Sequence, residues 1–325
     1  MLTAYDVTEK GLEASRPGED GAIAPTATWL DLMRPTQAED HAAEAFLGAS
    51  IPTREESQEI EFSSRFYSEE NAVFVTASLL VGVDRGEPKL MPFTIVVAGD
   101  RLATIRDEDF RAHSQFLSRA AKPTSGCTSA PAVFLGLIEA IVDRTADMLE
   151  RIGSVVDRIN ADIFIRDHGG RRRDRQLSSL IADIGAQGDI AAKARESLAS
   201  LERLVQYAAV ALPPSFAKGA HRARMKLIGR DIRSLEDQVT FLSNKIDFLL
   251  NASLGLISVE QNEVIRVLTV AAMVFFPPTL IGTVYGMNFE RMPELDWPFG
   301  YPLALLLMVA SAILPLIYFR RRGWL

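Results

Sequence analysis

The chain has 325 residues, enough for one large or two moderate folded units, with 48% hydrophobic and 24% charged residues. A net charge of −7 argues against nucleic acid as the main partner, because phosphate binding calls for a basic face. The single cysteine, Cys127, excludes an internal disulfide and any multi-cysteine metal site; His41, His113, His168 and His221 show no metal-ligand spacing.

The first twenty residues carry Asp6, Glu9, Glu13, Glu19 and Asp20 without an apolar run, so no secretory signal peptide is expected. Residues 1–121 read as an α/β domain. Strands are expected at 28–32, 72–83, 92–97 and 102–105, separated by Gly, Pro and Asp, with short helices at 36–49 and 53–59. No Gly-rich turn leads into Lys-Ser or Lys-Thr, and no Gly-x-Gly-x-x-Gly occurs, so no nucleotide phosphate loop is present.

A linker, Lys-Pro-Thr-Ser-Gly-Cys-Thr-Ser at 122–129, ends the β character, and residues 130–262 read as a helical domain and stalk. One helix is expected from 133 to about 165, broken by His168-Gly169-Gly170-Arg171-Arg172-Arg173. A second runs from about 176 to 212, where Pro213-Pro214 stops it. The third carries Met225, Ile228, Ile232, Leu235, Val239, Leu242, Ile246 and Leu249 at alternating spacings of three and four, a heptad seam. Two readings of the seam stay open: three antiparallel helices packed within one chain, or several stalks associating about an axis. Both can hold on different faces. Uninterrupted from about 215 to 286, this helix has roughly 70 residues and is about 105 Å long.

Residues 263–325 read as a transmembrane region. From Val267 to Gly286 there are 20 residues without a charge, and from Trp297 to Phe319 there are 23. Each run is long enough to cross about 30 Å of hydrocarbon as a helix. The spans at 267–286 and 297–319 enclose a loop, 287–296, that carries Glu290, Glu294 and Asp296 against Arg291; Arg320-Arg321-Arg322 follows the second span. Positive charge stays on the cytoplasmic side, so both termini are expected inside and the loop outside, in the periplasm. Trp297, Phe299, Tyr301, Tyr318, Phe319 and Trp324 suit the headgroup level.

The first span and its approach contain Asn262, Thr269, Thr279, Thr283 and Asn288, and no carboxylate from 264 to 288. Asn and Thr in spans often serve only to hold helices together, Gly282 and Gly286 read first as close-packing residues, and Pro277-Pro278 bends a helix in any protein. Neutral oxygens nevertheless suit one ion. Magnesium holds its six waters tightly, so a pore that passes it does better to hydrogen-bond those waters than to strip them. Conduction also needs binding that releases. Glu290, Glu294 and Asp296 would concentrate cations at the mouth. The membrane potential supplies about 4.6 kcal/mol per 100 mV for two charges.

Tyr285-Gly286-Met287-Asn288, then Met292-Pro293-Glu294-Leu295, and a basic Gly323-Trp324-Leu325 terminus resemble CorA-type magnesium and cobalt transport proteins. Glu260-Gln261-Asn262 and Phe276-Pro277-Pro278-Thr279-Leu280 match the approach and middle of that family's first span. Trp29-Leu30-Asp31-Leu32 with Arg34-Pro35, and Gly99-Asp100-Arg101-Leu102, are looser matches. The resemblance implies an α+β membrane protein: a cytoplasmic α/β domain, a long helical stalk and two C-terminal transmembrane helices in the inner membrane. It implies a homo-oligomer, a pentamer, in the lipid bilayer, with the pore lined by the first span. Gly286, Met287 and Asn288 would form the selectivity filter, with Asn288 meeting the metal through bound waters. Asn262, Leu268 and Thr279 would line the pore, Leu268 within an apolar constriction.

Divalent cations are the implied partners: Mg2+, with Co2+ or Ni2+ alongside it. No cofactor or enzymatic activity is implied. Magnesium is also a regulatory ligand in some members. There an acidic residue sits where this chain has Asn251, so ligands for that role are left unassigned, with Asp247, Glu260 and Glu263 as candidates. Two alternatives remain: a ZntB-like zinc transporter, which shares Gly-Met-Asn and the two-span plan, and a non-conducting membrane-anchored sensor.

Overall fold

A computed structural model describes residues 1–8, 11–15, 23–59, 61–69, 71–122, 126–164, 172–217, 219–288, 293 and 297–324. The turn at His168-Gly169-Gly170-Arg171, the middle of the linker at 123–125, and Glu290, Glu294 and Asp296 lie outside them. The chain divides into two compact units, Met1–Leu249 and Leu250–Leu325.

The first unit holds a seven-stranded sheet: β1 Leu2–Thr8, β2 Gly11–Ser15, β3 Trp29–Met33, β4 Phe66–Glu69, β5 Ala72–Val81, β6 Lys89–Ala98 and β7 Arg101–Arg106, in the order β2-β1-β3-β7-β6-β5-β4. Every neighbouring pair is antiparallel except β3 with β7. The four expected strands coincide with β3, β5, β6 and β7. The other three were not expected, because β1 mixes buried and half-buried positions, β2 has only two buried residues, and β4 is four residues long.

Helices α1 Gln37–Leu47 and α2 Arg54–Gln58 stand where they were expected. Each starts with a reciprocal cap: Thr36 accepts from the backbone of Glu39 while Glu39 reaches back to Thr36, and Thr53 and Glu56 do the same. Helix α3 is the single turn Phe62–Arg65. Helix α4, Arg111–Ala120, was not expected; it turns Ala112, His113, Phe116 and Ala120 inward. Leu2, Ala4, Leu30, Leu32, Phe74 and Val96 form one core layer with Ala43 and Leu47 of α1.

Three long helices follow, α5 Ala130–Phe164, α6 Arg172–Ala211 and α8 Gly219–Tyr285, with the short turn α7 Pro214–Ala217 between the last two. Serines of α6 cover the part of β5 that β4 leaves open: Ser78 N donates to Ser200 Oγ at 2.9 Å and Leu80 N to Ser197 Oγ at 3.2 Å. Those buried backbone donors would otherwise lack acceptors. All eight residues of the heptad seam on α8 are buried within this one chain, Ile232, Val239 and Leu249 at 0% exposure. A Cβ on Gly153 of α5 would lie 3.7 Å from Leu242, and one on Gly188 of α6 3.7 Å from Ile246. Arg233–Glu202 and Lys245–Asp157 ion pairs flank the seam. The intrachain reading therefore holds for the seam, and exposed Leu227 and Phe241 mark a different face.

Helix α8 runs for 67 residues and continues through Pro277 and Pro278. Its C-terminal part belongs to the second unit together with α9, Gly300–Arg321. Both helices contain a stretch long and apolar enough to cross a membrane, and those stretches are largely uncovered by the rest of the chain.

Candidate ion pathway

Helix α8 ends at Tyr285, so Gly286-Met287-Asn288 is the point where the first apolar helix unwinds. Gly286 N donates to Gly282 O at 3.0 Å and Thr283 O at 3.2 Å, and Met287 N reaches Val284 O at 3.4 Å. A Cβ on Gly286 would stand 3.0 Å from Gly282 O, so the turn needs a residue without one or a shift of backbone. Asn288 follows, exposed, and its amide hydrogen-bonds to nothing among the described residues.

At 100° per residue, Leu268, Ala272, Thr279 and Thr283 fall within about 60° of one another. That face is open: Leu268 is 68% exposed, and Ala272, Thr279 and Thr283 are exposed as well. Val270, Val274, Ile281 and Tyr285 cluster roughly 160° away and are buried or half-buried. Nearby Gly282 lies against α9, where an added Cβ would be 3.4 Å from Met308 Cε. The open face of α8 thus points away from its most covered one.

Asn262 is exposed too but falls about 90° from that face on a straight helix. It lines up with Thr269, Phe276 and Thr283 at intervals of seven, the period that aligns in a left-handed supercoil. The structure groups Leu268 and Thr279, then, and sets Asn262 on a neighbouring line.

The hydroxyls on α8 are oriented by the backbone. Thr279 Oγ1 donates to Phe275 O at 2.7 Å, Thr283 Oγ1 to Thr279 O at 2.8 Å, and Thr269 Oγ1 to Ile265 O at 2.8 Å. With its proton committed, each oxygen presents lone pairs, which makes it an acceptor.

Among the described residues no three His, Cys, Asp or Glu side chains come together to hold a metal. Asp247 and Asn251 are exposed, and Glu263 lies 3.7 Å from Arg266. One buried polar cluster escaped the sequence reading. Asp31 on β3, Arg106 on β7 and His113 on α4 meet beneath Trp29, whose Nε1 donates to Thr104 Oγ1 at 3.0 Å. Only the looser Trp29-Leu30-Asp31-Leu32 match hinted at it.

A sheet-bearing unit, a helix running on from it, and a second apolar helix joined through Gly-Met-Asn make up a two-span membrane protein of the metal-ion transporter class. The chain belongs to the CorA-like Mg2+ transporter protein family, whose pattern matches residues 25–321. Members of this family are ion transporters, not enzymes. The chain is 32% identical to the magnesium transport protein CorA of Salmonella typhimurium over 327 residues, which covers 100% of both chains. Its fold is similar to that of the complete CorA magnesium transporter of Methanocaldococcus jannaschii, with a TM-score of 0.77 at 17% identity, over 100% of this chain and 99% of that one. The cytoplasmic domain of ZntB from Vibrio parahaemolyticus also shares the fold, with a TM-score of 0.60 at 10% identity over 79% of this chain and 97% of that one.

Proposed function

We propose that this chain imports Mg2+ across the inner membrane through a pore lined by the first apolar helix of several copies, five in the reading the resemblance implies. Co2+ and Ni2+ are secondary cargo. Both termini lie in the cytoplasm, and Glu290, Glu294 and Asp296 at the periplasmic mouth attract cations. Asn288, with Gly286 and Met287, forms the ring that selects the hydrated ion.

The observation that carries this reading is the open face of α8, which offers neutral oxygens and no carboxylate. The waters around a magnesium ion point their hydrogens outward and need acceptors. Thr279 Oγ1, its own proton held by Phe275 O, is such an acceptor. It binds the hydrated ion weakly enough to release it, which conduction requires. Leu268, 68% exposed and six residues beyond Asn262, supplies an apolar constriction that closes by dewetting. The line Asn262, Thr269, Phe276, Thr283 supports assembly of several such helices about one axis. Inward current follows the membrane potential, with about 4.6 kcal/mol per 100 mV for a doubly charged ion. Regulatory magnesium on the cytoplasmic side is part of the proposal, with its ligands open because Asn251 has no charge to offer.

The test is Mg2+ flux into proteoliposomes under an inside-negative potential. Wild-type protein conducts and Asn288→Ala does not; undiminished flux in the variant sinks the selectivity assignment. Competition between Mg2+ and Zn2+ in the same assay favours Mg2+, and a Zn2+ preference overturns the choice of ion.

A further inference from the structure

A cavity of about 330 Å³ opens in the first unit where the turn after β5, the start of α4 and the middle of α5 come together. One carboxylate, Asp84, sits on its rim and receives three guanidinium groups. Arg144 Nη2 and Arg151 Nη1 come from α5, the latter 3.2 Å from Oδ1, and Arg111 Nη1 from α4 stands 3.6 Å from Oδ2. Asp147, 3.7 Å from Arg144, is the only other acid these arginines meet among the described residues. Three cations therefore face two anions, and Arg85 adds a fourth cation to the rim. Glu108, which also lines the cavity, is answered by Lys89 at 2.9 Å; Asp109 stands 3.3 Å from Arg106, a cation that Asp31 already neutralises, so four arginines face the three acids Asp84, Asp147 and Asp109.

Each guanidinium has five N–H donors in a planar fork, and each makes a single close contact with Asp84. Among the described residues most of those donors meet no other acceptor. The start of α4 points the same way. Its N-cap is Phe110, which has no side-chain acceptor to offer, and Phe110, Arg111 and Ala112 all line the cavity. The partial positive charge of a helix start adds to the pull of the arginines on an anion. Leu79, Ile141 and Met148 form an apolar side of the same cavity. The turn that delivers Asp84 and Arg85 is built for the place: Gly82 has φ +79°, and a Cβ there would meet Glu87 O at 2.1 Å.

We propose that this cavity is a binding site for a phosphate-bearing anion, either free phosphate or the phosphate end of a nucleotide. A tetrahedral dianion fits forked donors better than a carboxylate does, since several guanidiniums can each engage a different pair of oxygens. The volume lies at the lower end of the range for small-molecule sites, which suits a phosphate with a small attached group. The site is separate from the pathway along α8, and its failure would leave the transport reading untouched.

The experiment is calorimetric titration of the full-length protein in detergent with inorganic phosphate, with magnesium-free ATP and with MgATP. Wild-type protein saturates with phosphate or with ATP. The double variant Arg111→Ala/Arg151→Ala, at positions 60% and 63% exposed, weakens binding at least about tenfold with its thermal midpoint within a few degrees of wild type. Arg151→Lys, which keeps charge and loses the fork, falls between the two. Equal affinity for phosphate and ATP assigns the site to free phosphate, and tighter ATP binding assigns it to a nucleotide resting on the apolar side. Saturation by neither probe, or an unchanged affinity in the double variant, overturns the assignment.

Discussion

Arg106 grips Asp31 with two nitrogens inside the sheet: Nη2 stands 2.8 Å from Oδ2 and Nε 3.1 Å from Oδ1. The side chains are 7% and 4% exposed. They come from β7 and β3, the one parallel pair, where Asp31 faces Thr104 and takes a further hydrogen bond from its hydroxyl at 2.9 Å. Asp31→Ala would leave the guanidinium buried without its counter-charge. The expected loss is about 3–5 kcal/mol, read as a lower denaturation midpoint of the full-length protein in detergent.

The same pair sets an acid limit on stability. Burial pushes the Asp31 pKa up, but His113 and Arg106 lower it by more, leaving it well below its ordinary 3.8. A carboxyl depressed in the folded state stabilises fully above the unfolded value and loses that contribution as pH falls toward the folded one. Thermal midpoints of wild type and Asp31→Asn should therefore differ most above about pH 5 and converge as the pH drops below about 4. A gap that stays constant as the pH falls well below about 4 would argue that the charge of Asp31 contributes nothing.

Gly282 and Met308 bring the two apolar helices together. An alanine Cβ there would sit 3.4 Å from Met308 Cε, the end of a flexible side chain, so Gly282→Ala should be close to neutral. Gly282→Leu overfills the contact at a cost of about 1–3 kcal/mol, measurable as earlier thermal aggregation in detergent.

Thr279→Val separates the roles of one hydroxyl. If Oγ1 accepts from the waters of a passing ion, Mg2+ flux falls roughly three- to tenfold, the worth of about one hydrogen bond, with little change in thermal midpoint. Unchanged flux would leave Thr279 as a packing residue.

Much of this molecule was legible in order along the chain, for reasons that are local. A charge-free run is its own evidence for a span, and a three-four spacing its own evidence for a helical seam. Strands β5 and β6 were readable because nearly all their residues are apolar. Helix α4 was not, because its mean character is polar and only Ala112, His113, Phe116 and Ala120 turn inward.

The sequence by itself determined two apolar spans, a long helix running into the first of them, a mixed α/β unit ahead of it, and Gly286-Met287-Asn288 at the turn. Tertiary structure alone decided that the heptad seam is covered by α5 and α6 of the same chain. It also decided that Asp31 meets Arg106 across 75 residues and that Arg111, Arg144 and Arg151 converge on Asp84. Hydrophobic runs and helical periods depend on neighbours three or four positions away, so they can be read from the letters. Which covered face meets which helix, and which charges share a cavity, depends on how distant segments close on one another, and no local pattern encodes that.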